Sequence, residues 1–173
     1  MNNIIIRKAD SRDLNLLQSI STETFVQTFA EVNTMENMNK YLAERLSLSQ
    51  LAAELNDPHA AFYFAILNDQ VIGYLKTNTG AAQTELKEQD GLEVERIYVL
   101  KEFKGKNIGR VLLDRAIEIA IDQKAAYIWL GVWEENYRAI RFYEKNGFSV
   151  FDRHIFKLGN DEQTDLMMKR TLR

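Results

Sequence analysis

Apolar and polar positions follow one another along this chain with changing period, and each period predicts an element. Residues 3–9 are apolar and β-branched and predict a first strand. Asp10, with Asp13 three residues on, supplies a helix N-cap and an acid in the first turn. Behind it Leu14, Leu17, Phe25 and Phe29 recur near helical spacing, which predicts a helix over about 11–30. Thr34 and Ser47 each cap a stretch, 34–46 and 47–56, that together read as a second, broken helical region. Pro58, the only proline, ends it.

Beyond Pro58 the period shortens. The runs 61–67 and 70–79 predict a hairpin turned by Asn68 and Asp69. Residues 80–91 are polar and read as a mobile loop, followed by a strand over 92–100. Helical spacing returns at 107–124, where Ile108, Leu112, Ala116, Ile119 and Ala120 share one face. The unbroken apolar run 126–133 predicts a strand covered on both sides. A short helix over 136–147 ends at Gly147, and two strands near 148–157 and 164–171 follow. The expected order is β-α-α-β-β-β-α-β-α-β-β, a mixed sheet flanked by helices in an α/β or α+β domain. Its one clear parallel βαβ unit spans 92–133.

Composition narrows the function. At 173 residues the chain can bury one core but is short for two, so a single domain over 1–173 is expected. A net charge of −3 and a pI near 5.5 leave no excess of Lys and Arg to neutralise phosphates along a duplex, which excludes a general nucleic-acid binder. With no cysteine, disulfides, thiolate catalysis and cysteine-ligated metals are excluded. The apolar run near the N-terminus is too short for a signal peptide, and no later stretch approaches a membrane span. The chain therefore reads as soluble and cytoplasmic, with no membrane partner.

Candidate chemistry begins between the strand at 92–100 and the helix at 107–124. Lys104, Gly105, Lys106, Asn107, Ile108, Gly109 and Arg110 form a basic, glycine-containing loop opening a helix, with Lys101 just before it. A helix N-terminus with free N–H groups attracts anions, and glycines let the backbone approach a phosphate. Asn107 tolerates the left-handed conformation and can stand in for a third glycine. The spacing matches neither the glycine pattern of nucleoside-triphosphate loops nor that of Rossmann dinucleotide sites. Taken alone, the loop reads better as a surface turn with solvated lysines.

About thirty residues on come Asn136, Ala139, Tyr143, Gly147 and Phe148, spaced Asn-x-x-Ala-x-x-x-Tyr-x-x-x-Gly-Phe. With the loop before them they resemble the GNAT acetyltransferase family, whose loop runs Gln/Arg-x-x-Gly-x-Gly/Ala. Lys104 and Asn107 depart from that loop pattern, while Gly109 and every position of the second pattern match. The segments TFVQTF, MNKYL, LEVERIYV, IWLGVWEEN and DEQTDLMMKRTL further resemble PaiA-type spermidine/spermine N-acetyltransferases of Gram-positive bacteria. The resemblance implies a mostly antiparallel sheet of about seven strands with about four helices. It implies acetyl-CoA as cofactor, a primary amine of a polyamine as acceptor, and admits a homodimer. It places pantetheine along the backbone of Ile97, Tyr98 and Val99, pyrophosphate on 104–110, and Asn136 and Lys145 on the far wall.

Acetyl transfer to an amine raises two proton problems. An ammonium with a lysine-like pKa of ~10.4 costs about 4–5 kcal/mol to deprotonate at pH 7, which calls for a carboxylate acting directly or through water. Glu93 and Glu95 lie on the strand 92–100 and are expected on one face with Ile97 and Val99. Pairing with Arg96 or nearby lysines is the equal alternative for either acid, since buried unpaired carboxylates are costly. By the resemblance Glu95 is the base, and Glu93 contacts the substrate. The second problem is the thiolate leaving group, to which a phenol such as that of Tyr143 suits proton donation. The family pattern assigns Tyr143 that role, against packing in the core.

A polycation is recognised by carboxylates and aromatic faces. Glu23, Glu31 and Glu36 in the first helical region, with Trp133, Glu134 and Glu135 after the apolar strand, are the candidates. His59 and His154 stand alone without metal-ligand spacing and read as structural or surface residues, so no metal is expected. Protein N-termini, amino acids and aminoglycosides fit the same motifs as acceptors. A CoA-binding regulatory module without turnover is the rival from another class. Glu95 and Tyr143 favour catalysis.

Overall fold

Asn68 and Asp69 both adopt positive φ (50° and 65°) in the computed structural model, which describes residues 3–173. That two-residue turn joins β2 (Ala60–Leu67) to β3 (Gln70–Thr79), with Leu67 opposite Gln70. Both residues tolerate the left-handed region, as the tight hairpin requires. The remaining strands are β1 (Ile5–Lys8), β4 (Gly91–Val99), β5 (Tyr127–Trp133), β6 (Ser149–Leu158) and β7 (Asp161–Thr171).

They form one seven-stranded sheet in the order β1-β2-β3-β4-β5-β7-β6. Every neighbouring pair is antiparallel except β4 with β5. That pair is joined by α4 (Ile108–Asp122), the crossover of the expected βαβ unit. The last hairpin folds β7 between β5 and β6.

Three helices precede β2: α1 (Leu14–Phe29), α2 (Met35–Arg45) and α3 (Leu48–Asn56). The broken helical region is thus two helices, because Thr34 and Ser47 each cap a separate one through the N–H groups of Asn37 and Gln50. Asp10 and Asp13 form a reciprocal capping box ahead of α1. With α5 (Tyr137–Lys145) the described residues hold five α-helices rather than about four.

The sheet has an apolar layer on each face. On one, Ile108, Leu112, Ala116, Ile119 and Ala120 of α4 pack on Leu92, Val94, Ile128 and Leu130. On the other, Leu17, Ile20 and Phe25 of α1 and Leu51 of α3 pack on Phe62, Phe64 and Tyr74. Burying each such side chain contributes about 1.5–3 kcal/mol, so the two layers fix which sheet face each helix covers. No helix among the described residues is long and apolar enough to cross a membrane.

Candidate active site

β4 and β5 pair only over Gly91–Val94 and Tyr127–Leu130. Beyond Val94 the two strands have no ladder between them. β4 continues along β3 to Val99, and β5 continues along β7 to Trp133. The sheet therefore opens into a wedge in its middle, with the backbone of residues 95–99 lacking a partner strand on one side. Ile97, Tyr98 and Val99 lie on that lip and are half-buried. Unpaired N–H and C=O groups along a strand are a template for an extended ligand, as an added strand would be.

The same strand carries a bulge. Lys76 lies opposite Arg96 but Thr77 opposite Val94, so Glu95 is an extra residue on β4. The insertion reverses the alternation. Leu92 and Val94 share the α4-side layer with Ile97 and Val99, while Tyr98 and Leu100 face α1–α3. The expectation that Glu93 and Glu95 point with Ile97 and Val99 is therefore corrected: both carboxylates lie on the opposite face. A strict period of two does not survive a bulge.

There the two acids enter a buried polar network. Asn78, opposite Glu93 on β3, donates from Nδ2 to Glu93 Oε2 and to Glu95 Oε2, each at 3.0 Å. Thr84 donates to Glu93 through its backbone N–H (2.9 Å) and its hydroxyl. Glu95 pairs with Lys76 and faces Arg96 Nη2 at 3.9 Å. Glu54 of α3 pairs with Lys76 at 3.0 Å and with Arg96 at 3.3 Å. Burial pushes the Glu93 carboxyl up against the bonds from Asn78 and Thr84. Burial pushes on Glu95 too, but Arg96 and Lys76 more than offset it and hold that carboxyl below its ordinary value. Glu93 is 3% exposed, while the Glu95 side chain keeps 20% of its surface.

α4 begins a short loop beyond the end of β4. Its N-cap, Asn107, adopts the left-handed conformation (φ 68°) and makes no side-chain cap bond, and no acid stands in the first turn. Among the described residues the leading N–H groups thus have no side-chain acceptor, which with the macrodipole suits an anion. Gly105 needs its glycine for φ of +81°. Gly109 does not need one for packing, since a Cβ there would meet only Phe142 Cζ at 4.0 Å. Lys101, Lys104, Lys106 and Arg110 are exposed around the loop. Burial, then Arg138 and Lys101, pull the Lys104 ammonium below its ordinary value, so cations crowd this spot. Arg138 of α5 brings Nη2 to 3.9 Å from where a side chain at Gly105 would begin. Sequence reading missed it, because the helix motif fixes only Asn136, Ala139 and Tyr143 and leaves the position between them open.

Asn136 caps α5, its side chain accepting from Ala139 N–H at 3.2 Å, and Lys145 is exposed in the last turn. Tyr143 is 8% exposed, edge-on to Phe142 and Phe148, and among the described residues its hydroxyl has no hydrogen-bond partner. Burial pushes its phenol well up, so it stays protonated.

Of the remaining candidates, Glu23, Glu31, Glu36 and Glu135 are exposed, and Glu23 and Glu31 lie away from the face of α1 that packs on the sheet. Trp133 is half-buried at the end of β5, and Glu134 bonds Arg153 at 3.5 Å. His154 faces Glu85 at 3.6 Å and Asp165 at 4.0 Å, His59 is exposed, and no metal-binding group of side chains occurs among the described residues. Of the stretch 80–91, expected to be a mobile loop, Gly91 opens β4 and the rest is tied down: Gln83 is buried and accepts from Trp129 Nε1 at 2.8 Å, and Thr84 bonds Glu93. Asn78, Thr84, Lys76 and Glu54 were absent from the sequence reading. Register across β3 and β4 is the only signal for Asn78 and Lys76, while Glu54 on α3 and Thr84 on the loop reach the acids by tertiary packing alone.

Known proteins share the family and the fold. The model of the acetyltransferase (GNAT) family matches residues 22–148. An uncharacterised N-acetyltransferase of Lactobacillus delbrueckii subsp. lactis is 38% identical over 99% of both chains. A spermidine N(1)-acetyltransferase of Thermoplasma acidophilum is 28% identical, covering 86% of this chain and 90% of that one. The crystal structure of a PaiA N-acetyltransferase from Thermoplasma acidophilum in complex with coenzyme A superposes with a TM-score of 0.79 at 26% identity, over 98% and 99% of the two chains.

Proposed function

The chain belongs to the GNAT acetyltransferase family, and from that premise we propose that it transfers the acetyl group of acetyl-CoA to a primary amine of a polyamine such as spermidine. The observation that carries this reading is the wedge between β4 and β5, where the backbone of 95–99 has no partner strand, together with the uncapped N-terminus of α4 that follows β4.

Acetyl-CoA fits that wedge by the chemistry of its lining. A phosphate can approach the backbone at Gly109, where no neighbour stands closer than 4.0 Å to a built Cβ, among the charges of Lys104, Lys106, Arg110 and Arg138. The pantetheine amides have partners in the free N–H and C=O groups of Ile97 and Val99, with Asn136 and Lys145 on the α5 side; those of Tyr98, expected to take part, turn toward Tyr74 of β3. The cofactor supplies an activated acetyl carbon. The protein's own part is to hold the amine against it and to manage two protons.

Glu95, the more exposed of the two carboxylates, is assigned to receive the ammonium. Glu93 stands behind it. Tyr143 keeps its phenolic proton for the departing sulfur. A relative at 28% identity bears the name of a spermidine acetyltransferase, which supports a polyamine acceptor.

The test is thiol release from acetyl-CoA with spermidine, spermine, diamines, amino acids, an aminoglycoside and an alanine-terminated peptide. Polyamines giving the highest kcat/KM support the assignment. A higher value for any other amine moves the acceptor class. Binding of acetyl-CoA without turnover on any amine would leave a regulatory module.

A further inference from the structure

Gly131 is the first residue of β5 past its ladder with β4, and it is exposed. Its neighbours Leu130 and Val132 pack in the α4-side layer, so position 131 faces the other way, on the sheet face that carries Glu93 and Glu95. A Cβ at Gly131 would meet His154 Cε1 at 3.4 Å and Asp165 Oδ2 at 3.5 Å. Asp165 of β7 lies opposite Trp133 of β5 and His154 of β6. With no side chain at 131, its carboxylate leans over β5 at the lip of the wedge.

Asp165 lacks a full partner there. Its side chain keeps 16% of its surface, and among the described residues neither oxygen accepts a hydrogen bond. His154 holds Nε2 4.0 Å from Oδ2, too far to donate, and shares that nitrogen with Glu85 at 3.6 Å. Burial pushes the Asp165 carboxyl up, His154 pulls it down, and Glu85 pushes it up again, so a further cation beside it is favoured. Glu95 on the other lip is similarly open. Its Oε2 takes Asn78 and Lys76, while Oε1 accepts no hydrogen bond and stands 3.9 Å from Arg96 Nη2.

The two carboxylates thus share one sheet face on either side of the opening. The strands that bear them, β4 and β7, are not neighbours, since β5 lies between them and the wedge opens beyond Val94. That spacing suits two nitrogens on one alkyl chain rather than a single nitrogen. We propose that Asp165 is a specificity-determining residue, which takes the second ammonium of a di- or polyamine while Glu95 faces the one that is acetylated. Gly131 is what lets it reach the opening. The inference rests on the reading of this site as an amine acetyltransferase.

The experiment compares putrescine with butylamine, which keeps the carbon chain but lacks one nitrogen, in thiol release from acetyl-CoA. The parent should favour putrescine and spermidine over butylamine in kcat/KM by about 10- to 100-fold, the usual worth of a hydrogen bond between charged groups. Asp165→Asn keeps the shape and removes the charge. It should raise the KM for putrescine and spermidine about tenfold or more, affect butylamine far less, and spare the KM for acetyl-CoA and the melting temperature. Gly131→Val is the second variant, because it puts methyl groups where the carboxylate leans and a β-branched residue suits a strand. It should narrow the ratio of putrescine to butylamine in the same sense. Calorimetric titration of the two amines into the CoA complex reads the same preference without turnover.

A parent that treats putrescine and butylamine alike overturns the proposal. Equal losses on both amines in Asp165→Asn also overturn it, since a merely structural role shows no coupling to the second nitrogen. A calorimetric preference that disappears in Asp165→Asn, without acetyl transfer to any amine, would refute the functional reading and leave the second ammonium site standing.

Discussion

Tyr143 and Glu93 show what burial does to single groups. The Tyr143 phenol is driven up by burial alone, so it keeps its proton through any ordinary working pH and contributes no alkaline limb to the rate profile. Tyr143→Phe should lower kcat by ~10²–10⁴-fold, the usual size of a general-acid contribution, with the fold retained because little volume is removed. Stopped-flow thiol release and a thermal melt together check it; a collapsed melting temperature would make the hydroxyl part of the core. Glu93 has the opposite electrostatic sense from Glu95. Its carboxyl is raised in the folded state, so its charge costs stability above that raised value and the cost vanishes as pH falls toward the unfolded pKa. Glu95 is depressed, so its contribution is present above the unfolded pKa and is lost as pH drops through the folded value. Glu93→Gln should therefore melt higher than the parent at pH 7–8, where each 1 kcal/mol is worth about 2–4 °C, with the gap closing toward pH 5. Differential scanning calorimetry at a series of pH values reads it directly. A variant that melted lower at pH 8 would mean that the bonds from Thr84 and Asn78 outweigh the desolvation.

At the level of elements, periodicity and caps were legible and pairing was not. The face Ile108–Leu112–Ala116–Ile119–Ala120 is the buried face of α4, and Asn68-Asp69 is the β2–β3 turn, because both are set by residues close in sequence. The bulge at Glu95 was invisible, since nothing in LEVERIYV marks which residue lacks a partner on β3. Its effect was to move two acids to the other face. The α4 N-terminus was read from residue types alone, and its exposed loop cations and uncapped first turn fit that reading. Gly109→Asp separates a turn from an anion site. The fold has room for a Cβ there, and an acid in the first turn favours the helix dipole, so the melting temperature of the free protein should hold or rise slightly. Acetyl-CoA affinity measured by calorimetry should nevertheless fall by at least tenfold, because the carboxylate meets phosphate. Unchanged affinity would return the loop to an ordinary turn.

For the whole molecule, the class of fold followed from the order of elements, and the strand order of the sheet did not. That β7 inserts between β5 and β6 depends on a long hairpin, which local pattern does not encode. The candidate site inherits this limit. Its motif-bearing part, the loop 104–110 with Asn136 and Tyr143, was legible, while Asn78, Thr84 and Arg138 reach it only through tertiary pairing. Since the proposed acetyl-CoA site spans β4, α4 and α5, its occupation should stabilise the protein as a unit. At a hundredfold excess over Kd the gain is about 2.7 kcal/mol, a rise in melting temperature of roughly 5–11 °C.

The unpaired half of β4 is, in effect, a sheet edge located in the interior of a sheet. Edges recruit foreign strands, and this one cannot be guarded by the devices that protect outer strands, because a lysine or proline placed on it would obstruct the ligand. The free protein should therefore be the form that self-associates on storage or gentle heating, and CoA, which has no acetyl group to give, should suppress that as well as acetyl-CoA does. Light scattering at matched temperature would reveal it: in the proposed binding mode the nucleotide is a removable eighth strand.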